Sequence, residues 1–246
     1  MIRVEGLTVR FGDREVLNGI DLDFPRGQTT AIMGASGGGK TTLLRCIAGL
    51  IPATEGRVFF DGTDVTRLPE RKLLPFRRRT GFVFQYAALF DYLTVGENVA
   101  FGAQRLGHTP RSRIPDLVKE KLALVGMQDT EHLYPSQLSG GMRKRVGLAR
   151  AIATEPEVLF YDEPTSGLDP VMAYTIDTLI RDLKTRLGVT SVVVSHDVNS
   201  VFRVADRVAV LAKGRIVEMG DPATIRASRQ PDVVELLSAY GASSLE

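Results

Sequence analysis

Apolar and polar positions alternate along the opening of the chain: Ile2, Val4, Leu7, Val9 and Phe11, then Ile20, Leu22 and Phe24 in the stretch from Val16. A period of two predicts half-buried strands, and Gly12-Asp13-Arg14 between them reads as a hairpin loop. The pattern then changes character. Ala31-Ile32-Met33, Gly81-Phe82-Val83-Phe84, Val158-Leu159-Phe160-Tyr161 and Ser191-Val192-Val193-Val194 are short continuous apolar runs, which read as buried strands. Gly56 to Phe60 predicts a further strand, and Val208–Leu211 with Ile216–Met219 around Lys213-Gly214 predicts a closing hairpin. Helical spacing governs elsewhere. Lys40 to Ala48 reads as a helix stopped by Gly49, and Ile114, Leu117, Val118, Leu122 and Val125 mark a helical insertion between Tyr86 and about Glu131. The tail from Asp221 to Glu246 carries one helical pattern, Val233 to Leu237.

Composition narrows the classes. The 246 residues, 43% hydrophobic, suffice for one large domain or a domain with a subdomain. A net charge of +2 gives no global electrostatic case for nucleic acid. The basic run Arg77-Arg78-Arg79 reads as a solvated face rather than a membrane contact. One cysteine excludes an intrachain disulfide, and Cys46 falls on the apolar side of its helix, as core packing. Arg3, Glu5 and Arg10 interrupt the start, so no signal peptide is expected. No run of about eighteen apolar residues exists, so any transport role places the channel in another chain.

The chemistry centres on residues 30–44. Gly34, Ala35, Ser36, Gly37, Gly38, Gly39, Lys40 and Thr41 fit the glycine-rich pattern G-x-x-x-x-G-K-[ST], between an apolar strand and a helix start. There the backbone N–H groups converge on phosphate oxygens and the helix dipole adds positive charge. Lys40 is placed to reach the outer phosphates and the Thr41 hydroxyl to ligate Mg²⁺. Gly34-Ala35-Ser36-Gly37-Gly38 also fits the nucleophile elbow of a serine hydrolase, with Asp162 or Asp169 and His196 in chain order. That alternative leaves Lys40-Thr41 unexplained, and no oxyanion segment precedes it.

Other segments complete a site. Ser139 is a natural cap for the helix opening at Gly140-Gly141, a second helix start facing an anion but without its own lysine. A head-to-tail pair of chains would let each Ser139 face the other chain's ligand. Asp162 and Glu163 end a buried strand; the first suits Mg²⁺ and the second an attacking water. Gln85 ends another strand where ligands sit in open α/β sheets. Ser166-Gly167-Leu168-Asp169-Pro170 reads as a turn before a helix, and Phe11 could stack on a base. Ser195-His196-Asp197 is no triad, because triad partners meet in space rather than in sequence.

In this order the chain from Ile2 to about Met219 resembles the ATPase subunit of an ATP-binding-cassette transporter. Gly34 to Thr42 matches the Walker A loop, Gln85 the Q-loop glutamine, and Leu138-Ser139-Gly140-Gly141 the signature. Val158 to Asp162 with Glu163 matches the Walker B strand and catalytic base, Ser166 to Asp169 the D-loop, His196 the switch histidine and Phe11 the A-loop aromatic. The resemblance implies an α/β fold: a P-loop NTPase core with an antiparallel β subdomain and an α-helical insertion. It places that body at residues 1–220, the inserted helical part at about 86–153 and a tail at 221–246. ATP would contact Phe11, residues 34–42, Ser139, Gly140, Gly141 and Asp169, with Mg²⁺ at Thr41, Gln85 and Asp162. Glu163, His196 and Gln85 would serve hydrolysis. Implied partners are a second ATPase subunit and an integral-membrane permease. The subunit would then be peripheral, on the cytoplasmic face of the inner membrane.

Met142 replaces the glutamine that usually ends the signature. With Leu-Ser-Gly-Gly-Met-Arg-Lys-Arg and the segments around Gln85 and Asp169, the sequence is similar to ATPases of Mla/Mce-type lipid transporters, with further lipid-transport subunits as partners. The alternative is the ATPase of a polar amino-acid or other small-solute importer. The apolar residues Tyr86, Leu89, Phe90, Tyr92 and Leu93 after Gln85 divide between core packing and a groove for a permease helix.

Overall fold

The computed structural model describes residues 1–106 and 109–239. Gly107, His108 and the end of the tail from Tyr240 to Glu246 therefore lie outside the described residues. The chain forms two compact units, one of Met1–Arg77 with the chain from Thr190 on, the other of Arg78–Val189.

In the first unit, β1 (Ile2–Phe11) and β2 (Arg14–Phe24) form the expected hairpin. Their apolar positions change parity, from Ile2 and Val4 to Leu7 and Val9, and from Leu17 to Ile20. A regular strand would turn half of these to solvent. The register instead shifts between Val4 and Leu7 and again between Leu7 and Val9. Gly6 and Gly19, at φ of +56° and +59°, lie in those intervals, so both apolar sets stay buried. β3 (Thr29–Met33) is buried throughout and leads to α1 (Lys40–Ile47). β4 (Glu55–Phe60) and the two-residue β5 (Thr63–Asp64) complete the antiparallel sheet in the order β2-β1-β4-β5. α2 (Glu70–Arg78) follows, with Leu73 and Phe76 buried and the Phe76 ring edge-on to Phe60 at 4.9 Å.

In the second unit, β6 (Thr80–Val83) precedes α3 (Val95–Leu106), α4 (Ile114–Leu124) and α5 (Gly140–Ile152). Ile114, Val118, Leu122 and Val125 are buried, as the spacing predicts. Residues 86–94 are turns rather than helix, held by the fully buried Asn98. Its Oδ1 accepts the Phe90 N–H, and its amide donates to the carbonyls of Phe90, Leu93 and Thr94. β7 (Val158–Asp162) runs parallel to β6, and α6 (Pro170–Leu187) ends the unit. The basic run is not a plain solvated face: Arg79 grips Glu157 at 2.5 and 2.9 Å. Arg77 likewise pairs with Glu70 in the first unit.

Back in the first unit, β8 (Thr190–Ser195) leads through α7 (Val198–Val204) to β9 (Arg207–Ala212). β3 lies between β8 and β9, parallel to both, which explains its continuous apolar character. β10 (Arg215–Gly220) closes the hairpin on β9 through Lys213 and Gly214, both at positive φ. α8 (Pro222–Arg226) and α9 (Pro231–Ala239) follow. Cys46 is buried, which pushes its thiol pKa up to about 12, as fits core packing. No helix among the described residues is long and apolar enough to cross a membrane.

A close backbone approach occurs at Gly56, where φ is +86° and an added Cβ would sit 2.4 Å from the Gly6 carbonyl oxygen. Gly56→Ala is expected to lower stability by at least ~2 kcal/mol, from strain plus a clash with rigid backbone. Urea unfolding followed by circular dichroism would read the loss; an unchanged midpoint would contradict it.

Candidate functional site

In the first unit the glycine loop leaves β3 at Gly34. A Cβ there would lie 2.3 Å from the Leu211 carbonyl oxygen of β9, so only glycine lets the two backbones approach. Gly37 and Gly39 take φ of +75° and +98°, and a turn closes from the Gly38 N–H to the Ala35 carbonyl at 3.1 Å. Gly39 stands at the N-cap of α1, which has no side-chain cap and no acidic residue in its first turn. A helix start of this kind suits an anion. Lys40 is 5% exposed, and its Nζ donates to the carbonyls of Gly34 and Ala35 at 2.9 and 3.0 Å. Its stem is buried and its ammonium sits over the loop. Ala35, Ser36 and Gly37 are exposed, while Gly38, Gly39, Thr41 and Thr42 are half-buried. A glycine cradle at a helix start without a side-chain cap, with a fixed cation over it, fits a polyphosphate.

Register places His196 at the same edge. Met33 pairs with Ser195, so Gly34 and His196 leave adjacent parallel strands at one level. Its neighbours are structural. The Ser195 hydroxyl accepts the Asp197 N–H at 3.0 Å, and Asp197 caps α7 through Asn199 and Ser200. Phe11 is 57% exposed at the end of the first hairpin, paired with Arg14.

In the second unit, β6 and β7 pair Val83 with Tyr161, which sets Gln85, Asp162 and Glu163 at one edge. Asp162 and Glu163 are 1% and 7% exposed. Glu163 adopts φ of +47°, strained for a residue with a side chain. Asp162 and the Gln85 amide are hard oxygen donors of the kind Mg²⁺ takes. The Gln85 amide donates to the Ser166 hydroxyl at 3.2 Å, and the Ser166 N–H to the Glu163 carbonyl at 3.2 Å. At α5, Ser139 and Gly140 are exposed, and the Ser139 hydroxyl accepts the Met142 N–H at 3.3 Å. That cap takes only the backbone N–H of Met142, so methionine in place of glutamine does not disturb it. Gly141 is buried, with Met172 Cε 2.2 Å from where a Cβ would stand. Asp169 caps α6, accepting the N–H groups of Val171 and Met172 at 3.0 Å.

One residue of this site was hidden within a charged run. Lys144 is buried, and its Nζ donates to the carbonyls of Gln85 at 2.5 Å and Glu163 at 3.2 Å. Burial pushes its pKa down to about 8, against the opposing pull of the Glu163 and Asp162 carboxylates. Arg150 donates to the carbonyls of Ala87 and Ala88 at 2.6 and 2.7 Å, two further residues at positive φ. The sequence did carry a signal: Gly141, Lys144, Leu148 and Ala151 repeat at helical spacing on one buried face. After Gln85, Tyr86 and Tyr92 are 84% and 75% exposed, whereas Phe90 packs on Phe101 at 4.6 Å. The apolar segment is thus part core and part surface.

The sequence profile of the ABC transporter family matches residues 17–166. The ATP-binding protein MlaF of the intermembrane phospholipid transport system of Haemophilus influenzae is 41% identical over 237 residues. That alignment covers 96% of this chain and 90% of that protein. The sulfate/thiosulfate import ATP-binding protein CysA of Xylella fastidiosa is 46% identical over 227 residues, 91% of this chain but 64% of that protein. Among solved structures, a dimeric post-hydrolysis state of the ATP-binding cassette MJ0796 with ADP and Pi superposes with a TM-score of 0.82 at 31% identity. It covers 90% of this chain and 99% of that one.

Lys40 is the cation fixed over the loop, and a charge-assisted bond contributes about 1.5–3 kcal/mol. Lys40→Ala is therefore expected to weaken binding of a fluorescent ATP analogue by about tenfold or more without unfolding the chain. Equilibrium titration gives the answer, and unchanged affinity would remove the loop from the site.

Proposed function

Because the chain belongs to the ABC transporter family, as the ATPase subunit of a transporter, we propose that it energises lipid transport of the Mla/Mce type. The observation that carries this reading is Met142 at the end of Leu-Ser-Gly-Gly, with an alignment to the MlaF protein that extends beyond Gly220. Similarity to a sulfate/thiosulfate importer subunit supports the second reading, a small-solute importer. The domain division proposed with it is an ATPase body at 1–220, an inserted helical part at about 86–153 and a tail at 221–246. The tail beyond Ala239 lies outside the described residues.

The residues divide the work as follows. Phe11 stacks on the adenine, and the amides of residues 34–42 with Lys40 bind the phosphates. On the family resemblance, Thr41, Asp162 and Gln85 would hold Mg²⁺, which would supply positive charge to the phosphate oxygens. Glu163 orients the attacking water and takes its proton, while His196 donates to the terminal phosphate. Ser139, Gly140, Gly141 and Asp169 face the nucleotide of a second copy, so that two chains close on two nucleotides and reopen after hydrolysis. The likeness to a dimeric cassette supports this pairing. The subunit is peripheral, on the cytoplasmic face of the inner membrane, and an integral permease docks at the exposed Tyr86 and Tyr92.

Purification of the tagged full chain from membranes in mild detergent should recover a permease and bound phospholipid, read by mass spectrometry. Tyr92→Asp should lower permease recovery severalfold while ATP-analogue affinity stays unchanged. Recovery of a solute permease without lipid would favour the importer reading, and equal permease recovery by both forms would remove Tyr92 from the interface.

A further inference from the structure

The second unit contains a closed hydrogen-bonded ring. From the Gln85 amide it passes to the Ser166 hydroxyl, along the backbone to the Ser166 N–H, to the Glu163 carbonyl, to Lys144 Nζ, and back to the Gln85 carbonyl. Lys144 is the one cation in that ring, and its bonds run to carbonyls rather than to a carboxylate. Burying an ammonium is costly, and two apolar-packed neighbours would stabilise the helix face as well. Stability therefore does not account for a lysine here, whereas geometry does.

The segment after β6 lies along one face of α5. Lys144 meets Gln85, Gly147 faces Ala87 with 3.3 Å to its Cβ from an added one, and Arg150 holds Ala87 and Ala88. These α5 positions are three residues apart, so they share a side of the helix. The contact at Gly147 leaves little room for a side chain, which keeps the segment close. Helix and segment are bound as one body. Lys144 alone of these three also reaches β7's end, at the residue whose backbone is left-handed. A left-handed Glu163 is held only if its surroundings fix it, and its carbonyl accepts two donors, the Ser166 N–H and Lys144.

We propose that Lys144 is a positioning residue for ATP hydrolysis, locking the backbone of Glu163 to that of Gln85 so that the carboxylate and the amide keep a fixed separation. The idea rests on Glu163 and Gln85 having the roles assigned above. Lys144 itself touches no substrate. It acts through the two residues it joins, and it makes the helix that opens at Ser139 part of the same frame. A small error in the place of a general base costs on the order of tenfold or more in rate, because the water must be held in line.

The test compares the full chain with Lys144→Met, Lys144→Arg, Glu163→Gln and the double variant Lys144→Met/Glu163→Gln. ATP-analogue affinity and single-turnover hydrolysis of γ-labelled ATP are measured for each, with melting followed by circular dichroism. Lys144→Met is expected to leave affinity within about threefold and to slow hydrolysis by on the order of tenfold or more. Lys144→Arg, which keeps a charged donor, should recover most of the rate. In the Glu163→Gln background Lys144→Met should slow hydrolysis no further, since residues that act as a unit are not additive. Should methionine unfold the chain, Lys144→Gln, one atom shorter and uncharged, carries the same expectations. Full turnover in Lys144→Met or Lys144→Gln, or a loss that multiplies in the double variant, overturns the proposal while the assignment of Glu163 stands. Full turnover in Glu163→Gln removes that assignment and the proposal with it.

Discussion

α1 has Gly39 at its N-cap, which offers no side chain to cap its first turn. That constraint shapes most of the first unit. Left-handed Gly37 and Gly39 turn the loop, and Gly34 passes within a carbonyl's reach of β9. Lys40 is buried with its ammonium on the loop carbonyls, so the cation is placed before any ligand arrives. β3 fixes where the loop starts because β8 and β9 hold it on both sides, and the same pairing sets His196 beside Gly34. A strand so enclosed must be apolar throughout, and that is how it reads in the sequence.

The second unit meets a related demand differently. The start of α5 is capped by its own Ser139, yet Ser139 and Gly140 remain exposed. Ala87, Ala88 and Glu163 are among the unit's non-glycine residues at positive φ, and cationic side chains from α5 hold the carbonyls of these three. The buried Lys144 and the half-buried Arg150 are both pushed towards their neutral forms by desolvation, first of all causes. Each donates to two backbone carbonyls, which offsets part of that cost.

The strands were legible because they sit at two physical extremes, alternating where one face is wet and continuously apolar where both are covered. The bulges at Gly6 and Gly19 show in the sequence only as a parity slip, among Ile2, Val4, Leu7 and Val9 on one strand and from Leu17 to Ile20 on the other. α2 was missed because Pro75 interrupts it and its buried face amounts to Leu73 and Phe76. Residues 86–94 read as part of the helical insertion, but Asn98 fixes them as turns through side-chain bonds to their backbone that hydrophobic periodicity does not display. The glycine loop could be read from spacing, since its backbone requirements fall on glycine itself. Lys144 is harder to read, because between Arg143 and Arg145 it looks like part of a wet surface, and only its place on the same helix face as Gly141 and Leu148 sets it apart. Roles for Phe11, Asp169 and His196 came from resemblance rather than from pattern, as each is an ordinary residue until its neighbours in space are known.

Amide hydrogen exchange of the full chain, with and without ATP and Mg²⁺, tests the central claim most directly. Exchange of the amides from Ala35 to Thr42 should slow by on the order of tenfold or more when nucleotide is added, as they leave solvent for phosphate oxygens. Unchanged exchange in that stretch, with nucleotide bound, would contradict the account.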